Sequence, residues 1–251
     1  MVALDIFSVS WFLALGAVFF AAVVRGTTGF GFALVLAPVL LLLLEPKPVV
    51  VIALLLGLLS NIVIVATSLP NIRWRWIAPM LAGVVLGIPF GVLTISVISP
   101  SALRVMIGAV VLAFAIPLAL GFTRVFRREK PVAGLAGFAG GFLASSTSLG
   151  GPPVVLFMHN QDWRKEAIHP SLAACFLLTT SGSLVGLLIA GLVRLPTVLT
   201  AASLAPALLV GTAVGIVAFR RINERVFRVL SVVIIFGAGI VAVLSGLGVI
   251  G

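Results

Sequence analysis

Long apolar runs follow one another along almost the whole chain, and they constrain its fold more than any other feature. Six runs have about the 20 residues that a helix needs to cross the hydrocarbon core of a bilayer: residues 48–69, 77–98, 103–122, 170–191, 197–219 and 226–250. Only 9% of the residues are charged, compared with roughly 25% in a typical soluble domain. We therefore predict a polytopic membrane protein whose apolar surface faces lipid.

Four further apolar runs are shorter and form two adjacent pairs, at residues 8–24 and 30–44 and at residues 132–144 and 152–158. Small and polar residues join each pair, at 25–31 (the first break) and at 145–153 (the second break). Because glycine permits unusual backbone angles and proline interrupts helical hydrogen bonding, we expect both breaks to be non-helical. Each pair is either a re-entrant hairpin or two full crossings, and both versions return the chain to the side it came from.

The two halves of the chain share one plan of two short and three long segments. Gly31 matches Gly150 at an offset of 119. Further matches in the same order are Arg73 with Arg194 at 121 and Gly83 with Gly211 at 128. Because each half has an odd number of segments, the second half enters the membrane from the opposite side. We predict an all-α, polytopic membrane helix bundle of two inverted five-segment repeats, residues 1–126 and 127–251, in a single membrane domain.

The basic residues predict the orientation of the chain, because Lys and Arg are enriched in short loops on the cytoplasmic side. With both termini outside the plasma membrane, Lys47, Arg104 and Arg194 fall outside. Twelve basic residues then fall inside: Arg73, Arg75, Arg124, Arg127, Arg128, Lys130, Arg164, Lys165, Arg220, Arg221, Arg225 and Arg228. The net charge of +10 does not indicate nucleic acid as a partner, because no basic face is separate from the membrane segments.

The two breaks are the predicted substrate site, since irregular backbone within a membrane must be buried in protein or line a wet cavity. A helix that starts at each break would direct unpaired N–H groups at one region, and hydroxyl and amide donors suit tetrahedral oxyanions. The candidate binding residues are Arg25, Gly26, Thr27, Thr28, Gly29, Gly31, Ser145, Ser146, Thr147, Ser148, Gly150 and Gly151, together with Asn61 and Thr180 in the third and eighth segments.

Several of these residues allow a second interpretation. Arg25 is either an anchor at the inner surface or a buried guanidinium that needs a partner. Asn61 and Thr180 either line the ligand site or form a hydrogen bond between helices. For glycines in the long segments we favour close helix packing: Gly83, Gly87, Gly91, Gly211 and Gly215.

The carboxylates argue against a buried proton relay, because all six lie in termini or loops: Asp5, Glu45, Glu129, Asp162, Glu166 and Glu224. We therefore expect weakly coupled or uncoupled anion transport. No catalytic, metal or cofactor motif is present, so we predict a transporter and not an enzyme. The alternatives are an anion channel of the same architecture and a membrane-embedded enzyme or assembly factor that uses the loop from His159 to His169.

At the two breaks the chain resembles the TauE/SafE family of sulfite exporters, also called the TSUP family. The matching residues are Arg-Gly-Thr-Thr-Gly-Phe-Gly-Phe-Ala at 25–33, followed by Pro38, and Ser-Leu-Gly-Gly-Pro-Pro-Val-Val-Leu at 148–156. The resemblance implies export of sulfite, of sulfonates such as sulfoacetate, or of other small sulfur-containing anions. The first half departs from a purely glycine-rich repeat, since Phe30 and Phe32 flank Gly31. Both a monomer and a homodimer are compatible with the sequence.

Overall fold

The computed structural model describes residues 7–28, 30–66, 72–120, 129–161, 165–218, 236–237 and 239–248. Most of this part of the chain is helical and none of it is in a β-strand. The helices are α1 (Val9–Thr28), α2 (Phe32–Leu40), α3 (Pro46–Ala66), α4 (Trp74–Val97), α5 (Pro100–Leu120), α6 (Glu129–Thr147), α7 (Gly151–His159), α8 (Lys165–Ile189) and α9 (Leu195–Ala218). Residues 239–246 are helical as well. The fold is thus the predicted all-α membrane helix bundle.

Helix lengths correct the prediction that both members of each pair are short. Helices α1 and α6 have 20 and 19 residues, whereas α2 and α7 have nine each. At 1.5 Å per residue, a nine-residue helix is roughly 14 Å long and reaches about halfway across a hydrocarbon core of about 30 Å. The first member of each pair is longer than predicted because its helix continues into the break, and α6 also begins three residues before its apolar run. Most of the predicted last segment, 226–250, lies outside the described residues.

The outer surface of the bundle is apolar, as a lipid-facing surface must be. Five helices in the described part of the chain, namely α1, α3, α4, α8 and α9, are long and apolar enough to cross a membrane. Large aliphatic and aromatic side chains are exposed along α4: Val85, Leu86, Phe90, Leu93 and Val97. The basic side chains Arg73 and Arg75 are exposed at the start of the same helix. A soluble monomer rarely exposes so much apolar surface to water, whereas such a surface is stable in contact with lipid hydrocarbon.

Helices α4 and α6 pack with their backbones almost in contact. A Cβ added to Gly137 would lie 1.9 Å from the carbonyl oxygen of Met80, and one added to Gly91 would lie 2.3 Å from that of Phe142. Small residues allow such close approach between membrane helices. The contacts advance in the same direction along both helices, so α4 and α6 run parallel.

Helices α1 and α9 form a second glycine-mediated pair. The indole Nε1 of Trp11 donates to Ser203 Oγ over 3.0 Å, and a Cβ on Gly215 would lie 2.6 Å from the carbonyl oxygen of Val23. These contacts also advance together, so α1 and α9 run parallel. Close helix packing is therefore confirmed for the glycines predicted to provide it: Gly83, Gly87, Gly91, Gly211 and Gly215.

Helices α4 and α8 run parallel to each other. The backbone N–H of Arg73 donates to Ser171 Oγ over 3.1 Å near the start of both helices. Further along, a Cβ on Gly186 would lie 2.9 Å from a methyl carbon of Val92. Helices α4, α6 and α8 therefore share one direction.

Helices α1, α3 and α9 run in the opposite direction. The Nζ of Lys47, at the start of α3, donates to the carbonyl oxygen of Ser96 at the end of α4 over 3.1 Å, which makes α3 and α4 antiparallel. Only residues 190–194 join α8 to α9, so these two helices are also antiparallel. Because α1 runs parallel to α9, α1 is antiparallel to α8 as well. The first and third helices of the chain are thus opposite in direction to α6 and α8.

Helix boundaries recur at a fixed spacing along the chain. The bounds of α2 and α7 differ by 119 at both ends, and the ends of α1 and α6 and the starts of α3 and α8 also differ by 119. The bounds of α4 and α9 differ by 121 at both ends. The offsets at which Gly31 and Arg73 match residues of the second half are the same two numbers.

Candidate functional site

Both breaks open onto one cavity, which is lined by residues of α1, α2, α3, α6, α7 and α8 and has a volume of about 70 Å³. Space of this size holds several water molecules or one small anion. The lining residues are Arg25, Phe30, Gly31, Phe32, Ala33, Leu34, Ala53, Leu54, Gly57, Asn61, Ala144, Ser148, Leu149, Gly150, Gly151, Pro152, Phe176, Thr179 and Thr180. Seven of the fourteen candidate binding residues are among them: Arg25, Gly31, Asn61, Ser148, Gly150, Gly151 and Thr180.

Arg25 brings a positive charge into this cavity. Its side chain is 7% exposed, so it is a buried guanidinium and not an anchor at the membrane surface. Its Nη2 donates a hydrogen bond to Asn61 Oδ1, whereas its Nε is buried without a hydrogen-bond partner among the described residues. A buried charged donor with spare capacity is an attractive partner for an anion, since unpaired buried charge is unfavourable.

Asn61 and Thr180 meet across the interface between α3 and α8. The Nδ2 of Asn61 donates to Thr180 Oγ1 over 3.4 Å, and the two residues are 119 positions apart. The predicted interhelical hydrogen bond is therefore present, and both residues also line the cavity. Their role in ligand binding stays a prediction. Through its second polar atom Asn61 fixes the guanidinium of Arg25.

The first turns of α2 and α7 both face the cavity but offer different numbers of donors. At a helix N-terminus the first N–H groups have no partner within the helix. In α2 these groups belong to Gly31 and the apolar residues after it, and neither helix has a side-chain cap. In α7 the second and third helical positions are Pro152 and Pro153, which carry no N–H. The amide donors are therefore concentrated at the first break.

The hydroxyl groups of the second break are mostly used within α6, which corrects the expectation of a non-helical stretch. Ser146 Oγ donates to the carbonyl oxygen of Phe142 over 2.7 Å, and Thr147 Oγ1 donates to that of Leu143 over 2.7 Å. Ser145 Oγ similarly contacts the carbonyl oxygens of Gly141 and Ile88. Such bonds to the preceding turn let Ser and Thr remain in a helix. None of the three lines the cavity.

Residues of the first break are divided in a similar way. Thr27 Oγ1 donates to the carbonyl oxygen of Val24 over 2.8 Å within α1. Gly26 lies in the α1–α9 contact, where an added Cβ would be 2.7 Å from the carbonyl oxygen of Thr212. Neither Thr27 nor Gly26 lines the cavity. Thr28 ends α1, and its side chain, like the whole of Gly29, lies outside the described residues.

The second break keeps a short irregular segment at Ser148, Leu149 and Gly150. Ser148 has a φ of 65°, a left-handed conformation that is uncommon for any residue except glycine. An added Cβ at Gly150 would lie 2.4 Å from the carbonyl oxygen of Gly140, whereas one at Gly151 would lie 3.7 Å from Phe176 Cζ. Gly150 is therefore required for close packing of α7 on α6, and Gly151 leaves open space in the cavity.

Sequence reasoning did not select several lining residues, among them Phe176, Gly57 and Ala144. Phe176 looks like an ordinary apolar residue of a membrane helix, and only the packing of α8 against α7 brings it to the cavity. Ala144 could have been found, because it stands 119 positions after Arg25 and so occupies the matching place before the second break.

Comparison with known proteins agrees with the sequence motifs at the two breaks. The family model described as sulfite exporter TauE/SafE matches residues 14–242 of the 251. No match was found among curated proteins or solved structures. The match includes both breaks, every lining residue of the cavity and all nine helices named above except the start of α1. The chain therefore belongs to the TauE/SafE family of sulfite exporters, which are membrane transporters.

Proposed function

We propose that this protein exports a small sulfur-containing anion, such as sulfite or a sulfonate, through the cavity between the two breaks. The observation that carries the proposal is the buried guanidinium of Arg25, which lines the cavity and has an unpartnered Nε. The amino-terminal end of α2 faces the same space and adds backbone donors. Half-length helices whose amino-terminal ends meet at a buried site bind anionic groups in other transporters.

The proposed architecture is that of two inverted repeats, residues 1–126 and 127–251. It is supported by the helix boundaries that recur at 119 and 121 and by the opposite directions of α1 and α6 and of α3 and α8. The hydrogen bond between Asn61 and Thr180, which are themselves 119 apart, is the contact expected on a pseudo-twofold axis. Alternating access would then come from movement of one group of helices against the other around this axis.

We further propose that the protein lies in the plasma membrane with both termini outside. Its only cysteine, Cys175, is buried, so single cysteines introduced at exposed positions report on sidedness. Ser99→Cys at the start of α5 and Arg75→Cys in α4 are suitable because both residues are exposed. An impermeant maleimide added to intact cells should label Ser99→Cys and spare Arg75→Cys until the membrane is opened. The reverse labelling pattern would show that both termini lie inside the cell and would contradict the proposed orientation.

Flux into or out of proteoliposomes tests the proposed function directly. Wild-type protein should move sulfite, and Arg25→Gln should slow this flux at least roughly 30-fold, since losing one partner of a buried charge pair costs about 2 kcal/mol or more. The control is Arg104→Gln, because Arg104 bonds to Ser245 Oγ outside the cavity. Equal flux in the two variants would mean that the cavity takes no part in transport.

The mode of transport is a carrier in which no proton accompanies the anion, and the same vesicles test it. No carboxylate is among the described lining residues, and an inside-negative potential favours anion exit by about 2.3 kcal/mol per charge per 100 mV. Anion flux at a clamped potential should continue without a pH gradient, and a strict requirement for that gradient would contradict this mode. Saturable flux and counterflow would distinguish the carrier from an anion channel, the second candidate, in which flux rises linearly with concentration.

A further inference from the structure

The cavity contains a single formal charge within the part of the chain that the structure describes. Its lining consists of Arg25 and otherwise of apolar residues, glycines, a proline, hydroxyl groups and one amide. The guanidinium keeps its proton at any physiological pH. The side chains that face it from other elements are Asn61 on α3, Ser148 in the second break, and Thr179 and Thr180 on α8. None of these titrates near neutral pH.

Backbone donors add less than a second charge. A helix amino terminus is equivalent to about half a positive charge, which resides on its unpaired N–H groups. Helix α2 supplies these groups, but Pro152 and Pro153 remove two of them from α7. Counted over the described lining residues, the cavity therefore offers more than one positive charge and clearly less than two.

Charge balance in a buried site then selects the ligand. A monoanion against Arg25 forms a neutral pair, which is the arrangement that buried charges require. A dianion would leave an uncompensated negative charge among apolar residues such as Phe176 and Leu54. The second charge of a dianion would lose its hydration water and would meet no second positive charge among the described lining residues.

We propose that the species bound and transported is a monoanion, either hydrogen sulfite or a monosulfonate, and that sulfite dianion, sulfate and sulfoacetate are excluded by their second charge. This inference rests on the proposed function, because it concerns the ligand of the same cavity. It narrows the sulfur compounds to those with one negative charge at the pH of transport.

The test measures binding of anions of different charge to the purified wild-type protein in detergent. The panel is methanesulfonate with one charge, sulfate and sulfoacetate with two, and sulfite, whose charge changes from one to two across neutral pH. We expect methanesulfonate to bind with the same affinity from pH 6 to 9. The apparent affinity for total sulfite should fall by about tenfold per pH unit once the dianion predominates, and sulfate should bind at least tenfold more weakly than methanesulfonate.

Two results would overturn the proposal: sulfate or sulfoacetate binding as tightly as methanesulfonate, or sulfite affinity that stays constant or rises with pH. Sulfite flux in proteoliposomes separates this failure from failure of the proposed function. If flux occurs but dianions are preferred, only the monoanion inference fails. If none of these anions binds or crosses, both fail. Arg25→Lys keeps one charge in the cavity and should preserve the order of affinities even where all of them weaken.

Discussion

The two breaks occupy matching places in the chain but present different chemistry to the same cavity. Arg25 and Ala144 stand 119 positions apart, and both line the cavity. The first break therefore contributes a charge where the second contributes a methyl group. The first turn of α2 also keeps its amide donors, whereas that of α7 has two prolines.

The breaks also differ in how the backbone turns. In the described part of the first break, Gly31 is left-handed, with a φ of 87°, directly before α2. In the second break the left-handed residue is Ser148, with a φ of 65°, directly after α6, and Gly150 before α7 has an ordinary φ of −70°. The difference teaches that the two halves share helix positions but not ligand chemistry. Under the proposed function, the first half holds the anion and the second mainly shapes the space around it.

Neutralising the charge at the first break should have the largest effect on anion binding. Asn61→Asp places a carboxylate beside the Arg25 guanidinium, where the Asn61 amide oxygen now accepts its hydrogen bond. The new ion pair satisfies the guanidinium, so the protein should fold, but an incoming anion would meet a neutral site and a like charge. We expect anion affinity to fall at least about 100-fold, roughly 3 kcal/mol, in a direct binding assay.

The matched variant is Thr180→Val, at the position 119 residues later on α8. It removes one neutral hydrogen-bond partner of Asn61 and leaves the charge in place, so affinity should fall only about three- to tenfold, or roughly 0.5–1.5 kcal/mol. If both variants weakened binding equally, the two halves would contribute equally to the ligand site and the asymmetry would be wrong.

The sequence predicted the fold well because four of the five described helices that are long enough to cross a membrane, namely α3, α4, α8 and α9, coincide with long apolar runs. It placed the ends of helices α1 and α6 poorly. In sequence alone, residues such as Ser145, Ser146 and Thr147 are typical of a loop. In the structure their hydroxyls bond to carbonyl groups of the preceding turn, and the helix continues. Hydroxyl residues favour either outcome, and only the surrounding helices decide between them.

The lining of the cavity was predicted only in part for a similar reason. The motifs at the breaks led to Arg25, Gly31, Ser148 and Gly150, which do line the cavity. They also led to Gly26, whose role is to let α1 approach α9. A glycine before a break has the same appearance whether it adjoins a ligand or another helix, because sequence does not show which neighbour packs against it.

The two glycines of the second break test its role in shaping the cavity. Gly150→Ala would bring a Cβ to 2.4 Å from the carbonyl oxygen of Gly140, so overpacking should destabilise the protein by about 1–3 kcal/mol. Gly151→Ala would make only an ordinary 3.7 Å contact with Phe176 and should leave stability unchanged. Thermal unfolding in detergent measures both, and an equal loss of stability in the two variants would contradict the packing described for α7.

The smallest effect tests whether the prolines are what make the second break a weak donor. Pro152→Ala restores an N–H group at the first turn of α7 beside the cavity, and this should raise methanesulfonate affinity about two- to fivefold, or roughly 0.5–1 kcal/mol. Pro153→Ala is the control, since it restores a donor in the same turn at a residue that does not line the cavity. Binding isotherms of both variants against wild type make the comparison. If Pro152→Ala left affinity unchanged in a stable protein, donor number at α7 would not explain the difference between the two breaks, and the single charge of Arg25 would explain it alone.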